Sequence, residues 1–133
     1  THGGNRAFYN PSRDFIAMPS ADDFKSLAHY QSTLAHELTH WSGHETRCKR
    51  DFKNRFGDAA YAFEELVAEM GSAFICALYG VALEGLQHSD YIASWLETLK
   101  GDKRAIFTAA SKAKEAVAFI TADRTQEEEA IAA

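Results

Sequence analysis

The sequence predicts an α+β fold, mainly helical, on three observations. Two short runs of aromatic and aliphatic residues flank Asn10-Pro11-Ser12-Arg13, whose Asn and Pro favour a turn. Further along, apolar residues recur at three- and four-residue spacing, the period of helices buried on one side. With 133 residues, 46% of them apolar, the chain is long enough for one hydrophobic core and too short for a second independent domain.

The elements follow in chain order. Residues 6–10 and 14–18 read as the strands of a β-hairpin, which Pro19 and Ser20 end. Ser20, with Asp23 three residues on, resembles a helix N-cap followed by an acid in the first turn, so a long helix is expected from about Ala21. Its core face is expected to carry Leu27, Leu34, Leu38 and Trp41, and His36 and His40 then fall on the opposite side. Residues 42–58 mix Gly, charge and isolated Phe with no stable period, as a connecting loop does.

Asp58 is placed to cap a second helix from about Ala59 to Tyr79, with Gly80 as its stop. Phe63, Leu66, Val67, Met70, Phe74 and Leu78 make its apolar side, and Tyr61, Glu65 and Glu69 share another. Ser89 or Asp90 is expected to cap a third helix that reaches Lys100 before Gly101. Asp102 caps a fourth, Ala-rich helix reaching about Ala122, and the closing QEEEAIAA reads as a frayed helical tail.

Charge and composition narrow the function. The formal net charge is −5, whereas gripping phosphates calls for a basic excess, so nucleic-acid binding by this segment alone is disfavoured. The one basic cluster, Arg47, Lys49, Arg50, Lys53 and Arg55, reads as a solvated loop with at most a small anion contact. No apolar run approaches the roughly 20 residues that cross a bilayer, and the N-terminus lacks a signal-peptide pattern, so no membrane partner is expected. Cys48 and Cys76 form no CxxC and suggest neither a disulfide framework nor a cysteine metal site, which fits a reducing cytoplasm.

The chemistry lies in His36-Glu37-Leu38-Thr39-His40, an HExxH motif on a predicted helix. Residues four apart stack on one helical face, so both imidazoles aim at one point, while Glu37 points to the flank and can act as general base without ligating metal. The competing reading of His36 and His40 is as surface or hydrogen-bonded core histidines. A catalytic zinc takes three protein ligands. His44 would share the face only if the helix passed Ser42-Gly43, and an HExxHxxGxxH pattern fails because its last position is Thr46.

The better third ligand is Glu65 on the second helix, delivered if that helix packs antiparallel to the first. Glu69, one turn on, can accept the second N–H of a ligand histidine and fix its tautomer. Against this stands a solvated acidic face on Glu64, Glu65 and Glu69, the reading preferred for Glu64. Tyr61, one turn before Glu65, could place its hydroxyl near a developing oxyanion, although an aromatic at helical spacing also serves packing.

HExxH with a later ExxA and an acid one turn beyond resembles the gluzincin group of metallopeptidases. AFYNPSRDFIAMP, HELTHWSGHETR and FGDAAYAFEELVAEMGSAF together resemble the C-terminal metallopeptidase domain of ArdC-type plasmid antirestriction proteins and of related conjugal-transfer primases and polyvalent proteins. The similarity covers nearly the whole chain, including YIASWLETLK. It implies a zincin-like architecture, zinc at His36, His40 and Glu65, and Glu37 as catalytic acid/base.

It also implies a longer bacterial parent with an N-terminal single-stranded-DNA-binding domain, and this chain, opening at Thr1, is expected to be the piece that follows it. The expected function is therefore zinc-dependent hydrolysis of a peptide or protein substrate by a single domain over residues 1–133. Two rivals stand beside it: a non-catalytic zinc-binding interaction module, which would not need Glu37, and an acidic DNA mimic, for which a net −5 with 14 interspersed basic residues is weak.

Overall fold

The computed structural model describes residues 1–50, 59–82, 84–100 and 102–132, the last ten of these as backbone only. Strand β1 (Phe8–Asn10) pairs antiparallel with β2 (Phe15–Ala17), setting Phe8 opposite Ala17 and Tyr9 opposite Ile16. The turn between them is closed by the Arg13 N–H donating to Asn10 Oδ1 at 3.0 Å and by Asp14 adopting φ 55°. The first residues line the far edge of β2, where the Met18 N–H donates to the Thr1 carbonyl and the Gly3 N–H to the Met18 carbonyl. That leaves β1 as the edge toward the helices.

The first long helix, α1 (Leu27–Ser42), starts later than expected. Ala21–Asp23 make only a single 3-10 turn, and Ser20 forms no side-chain cap. Ser26 is the cap instead, its hydroxyl accepting the His29 N–H at 3.2 Å and so satisfying one of the orphan donors of the first turn. The expected leucine face is also corrected. Leu27 is 64% exposed and Leu34, Leu38 and Trp41 are half-buried, while the buried side carries Ala35, Thr39 and Ser42. Small side chains win that side because α2 approaches there too closely for leucine.

Helix α2 (Ala59–Leu78) is the centre of the molecule. Its Leu66, Val67 and Met70 pack with Ala109 and Ala113 of α4 (Lys103–Ala132), and Trp95 and Leu96 of α3 (His88–Thr98) close the cluster. Ala109, Ala113 and Ala116 are fully buried, so the alanines of α4 let two backbones approach as well as favouring the helix. Phe74 and Leu78, expected on the apolar side of α2, are 39% and 59% exposed.

The stop at Gly80 takes a definite form. Gly80 has φ 70°, its N–H donates to the Ala77 carbonyl, and the Val81 N–H reaches back to the Cys76 carbonyl at 2.8 Å, a Schellman ending. Helix α3 begins at His88 with no side-chain cap, so Ser89 and Asp90 lie inside its first turn rather than capping it. Asp102 does cap α4, Oδ1 accepting the Arg104 N–H at 2.9 Å, and α4 continues through Ala132 as one helix rather than ending near Ala122. The expected cap at Asp58 and stop at Gly101 lie outside the described residues. Among the described residues no helix is long and apolar enough to cross a membrane.

Candidate metal centre

Helices α1 and α2 run antiparallel, with His40 facing Glu64, His36 facing Glu69 and Ser32 facing Ser72. The close approach depends on Gly71, where an added Cβ would stand 2.5 Å from Thr39 Oγ1 and 3.1 Å from Thr39 Cβ. Thr39 is held in turn by its hydroxyl bond to the Ala35 carbonyl at 2.8 Å. This seam sets the distance at which the histidines of one helix meet the carboxylates of the other.

Three donors converge there. His36 Nε2 lies 3.2 Å from one oxygen of Glu65 and His40 Nε2 lies 3.1 Å from the other, with the two nitrogens 3.1 Å apart. A tetrahedral zinc with bonds of about 2.0–2.1 Å needs its ligands about 3.3 Å apart, so the spacing suits such an ion. Two imidazoles and a carboxylate are also a donor set that divalent zinc accepts.

The outer nitrogens are fixed as well. His36 Nδ1 meets Glu69 Oε1 at 2.9 Å, and His40 Nδ1 meets Glu64 Oε2 at 2.7 Å. With Nδ1–H donating to a carboxylate, each ring turns Nε2 toward the shared point. Glu69 is bonded again by His88 Nδ1 at 3.3 Å, and His88 Nε2 reaches Ser32 Oγ at 3.2 Å. Glu64 is bonded again by Arg50 Nε at 2.7 Å.

Burial opposes charging either imidazole, but the carboxylates outweigh it. Glu65 and Glu69 push the pKa of His36 up to about 10, and Glu64 and Glu65 push that of His40 up to about 9, with His36 itself pulling the latter down. Burial likewise raises Glu65, yet the two histidines hold its carboxyl far below the usual range. The carboxylates around the two imidazoles thus make a site that favours added positive charge.

Glu37 stands apart from the three donors. It is 7% exposed, burial raises its pKa while His36 and His40 draw it down, and it accepts a hydrogen bond from the Tyr9 backbone of β1. Tyr61 packs its ring edge-on against Trp95, centroids 5.7 Å apart, and donates its hydroxyl to Glu65, with burial raising its pKa. Two cavities open on the site, of about 540 and 420 Å³, and both are lined by Ala7, His36 and Glu37. The larger extends past Glu69 to His88, and the smaller runs between β1 and Tyr61.

His36, His40, Glu37, Glu65, Glu69 and Tyr61 are thus brought together, and His44 is not: α1 ends at Ser42, and His44 Nδ1 bonds Thr46 Oγ1 instead. Glu64 corrects the solvated-face reading, since it is 5% exposed and held between His40 and Arg50. The basic cluster is corrected in the same way. Arg47 pairs with Asp14 and lies over the Trp41 ring, and Arg50 pairs with Glu64, while Lys53 and Arg55 lie outside the described residues. The signal for Glu64 was its place beside Glu65 opposite two imidazoles; His88 carries no local signal, because only the packing of α3 brings it near.

The family model of a zincin-like metallopeptidase matches residues 1–112. The chain is 46% identical over 125 residues to the y4eC protein of Sinorhizobium fredii, covering 93% of this chain and 41% of that one. It is 41% identical over 122 residues to a DNA primase TraC of Escherichia coli, covering 91% of this chain and 12% of the primase. Two crystal structures of the antirestriction protein ArdC from plasmid R388 are similar in fold. The Mn(II)-bound one has a TM-score of 0.74 at 43% identity and the metal-free one 0.72 at 45%, each covering 90% of this chain and 45% and 44% of ArdC. The chain spans less than half the length of the relatives it matches. With the HExxH helix, the glutamate-bearing helix facing it and this match over most of its length, the chain belongs to the zincin-like metallopeptidase family.

Proposed function

We propose that this domain is a zinc-dependent peptidase, with His36, His40 and Glu65 as metal ligands, Glu69 and Glu64 orienting the two histidines, and Glu37 as general base. The observation that carries the reading is the convergence of two imidazoles and a carboxylate while Glu37 stays beside them, unused as a ligand. The Mn(II)-bound structure of ArdC, a relative of the same fold, supports a divalent-metal reading.

When bound, zinc supplies a Lewis acid that polarises the scissile carbonyl and lowers the pKa of water to about 7. Glu37, with its raised pKa, takes the proton from the attacking water and hands it to the amine as the C–N bond breaks. The Tyr61 hydroxyl donates to the carbonyl oxygen as negative charge gathers there. Strand β1 borders the smaller cavity and offers an edge along which an extended peptide is laid by strand addition.

The domain acts within a longer bacterial protein of the ArdC or TraC kind, in the cytoplasm, and single-stranded DNA is the business of another part of that parent. The small shares of y4eC, TraC and ArdC covered by this chain support a longer parent. A second reading, a zinc-holding interaction module without hydrolysis, is favoured by the names of these relatives, which refer to antirestriction and priming.

The two readings separate on Glu37→Gln, which keeps the size of the side chain and removes the base. The peptidase reading expects unchanged zinc content and a loss of about 10²-fold or more in cleavage of fluorescein-labelled casein and a mixed quenched-peptide library. Equal cleavage by the variant removes Glu37 from the role. A zinc-loaded wild type that cleaves neither probe favours the interaction module.

A further inference from the structure

The residue that the metal site leaves least explained is Arg50, whose side chain is only 5% exposed, in the loop just after α1. Its donors are spread over both helices. Nε donates to Glu64 Oε1 at 2.7 Å and Nη2 to Glu64 Oε2 at 3.3 Å, both on α2. On α1, Nη2 donates to the Thr39 carbonyl and Nη1 to Ser42 Oγ at 3.2 Å. Its own backbone is anchored too, the N–H donating to the Gly43 carbonyl at 2.8 Å.

We infer that Arg50 is the positioning residue for His40, acting through Glu64 and across the seam between α1 and α2. Glu64 Oε2 is the atom that His40 Nδ1 meets at 2.7 Å, so the guanidinium fork that grips both Glu64 oxygens also fixes the ring that presents Nε2. The same fork bonds the carbonyl of Thr39, the residue next to His40, and thereby joins the backbone of one ligand to the helix carrying another, Glu65. A Lys at this position carries the charge but not the fork, so it cannot span Glu64, Thr39 and Ser42 together. The inference rests on the metal-site reading proposed above.

The test is zinc affinity of the purified protein, by competition with a chromophoric chelator, at a temperature where circular dichroism shows each variant folded. Arg50→Lys is expected to weaken zinc binding by about 10- to 100-fold, the usual effect of losing a group that orients a ligand. In a Glu64→Gln background, where the relay is already cut, the same change is expected to cost less than about 2-fold, by the logic of a double-mutant cycle.

Wild-type affinity in a folded Arg50→Lys protein overturns the inference, and so does an equal loss in both backgrounds. Should Arg50→Lys fail to fold, amide and guanidinium exchange in the zinc-loaded wild type decides. An Arg50 Nε–H protected from solvent exchange supports the clamp, and one that exchanges as an exposed arginine does overturns it. A folded wild type that binds no zinc is a different failure, since it removes the metal site itself.

Discussion

Gly71 meets Thr39 where α2 crosses α1, and a Cβ at position 71 would stand 2.6 Å from Thr39 Cγ2 as well as 2.5 Å from its hydroxyl. Thr39 is fully buried and one residue before His40, so it cannot yield without moving one of the proposed metal ligands. Gly71→Ala should therefore destabilise the fold. The added methyl raises helix propensity by about 1 kcal/mol, but overpacking costs about 1–3 kcal/mol, so a net loss of about 1 kcal/mol is expected. Chemical denaturation of the metal-free proteins measures it, and zinc affinity should fall in parallel as the helices part. A variant as stable as wild type would contradict the tight seam.

Zinc and protons should compete for the histidines. His36 and His40 titrate at about 10 and 9 in the folded chain against an ordinary 6.5, so the stability that their protonated forms contribute is complete below about 6.5 and is lost as pH rises through about 9–10. Glu65 works in the opposite sense: its lowered pKa contributes stability above the ordinary 4.5 and loses it as pH falls through the depressed value. The metal-free chain should thus be most stable between about pH 5 and 6.5 and lose Tm progressively as pH rises from there to about 10. Zinc requires bare Nε2 atoms, so its stabilising effect should grow from about pH 6 to 8 with release of protons. Thermal shifts with and without zinc, and titration calorimetry in two buffers of different ionisation enthalpy, read both effects; a pH-independent shift would contradict the proton count.

Tyr61→Phe separates packing from chemistry. The ring stays against Trp95, so stability should change little, and Glu65 loses the Tyr61 hydroxyl but keeps both histidines, so zinc content should hold. Loss of the hydroxyl should lower kcat for casein-derived peptides by about 10²-fold, the effect of removing one oxyanion donor, with little change in KM. An unchanged kcat would leave Tyr61 as a packing residue.

The sequence displayed the parts of this fold that are set by local spacing. The HExxH helix, the second helix with Glu65 and Glu69 one turn apart, and the stop at Gly80 all follow from periods of three to four residues and from the freedom of glycine at positive φ. What it hid depends on how elements pack. The leucines of α1 looked like a core face because they are large and periodic, whereas the seam with α2 selects Ala35, Thr39 and Ser42 by closeness. Glu64 looked like a surface acid because its one signal, adjacency to Glu65, does not reveal that Arg50 and His40 enclose it. His88 belongs to a helix that begins 19 residues after Glu69, and only the folded chain brings them to 3.3 Å.

The most direct test of the account is the zinc bound per chain by the wild type and by Glu65→Ala, purified without added metal and measured by mass spectrometry of the elements. Three protein ligands predict close to one zinc in the wild type and marked loss in the variant, while both remain folded. A folded wild type without zinc would contradict the metal centre, and equal zinc in the two proteins would take Glu65 out of it.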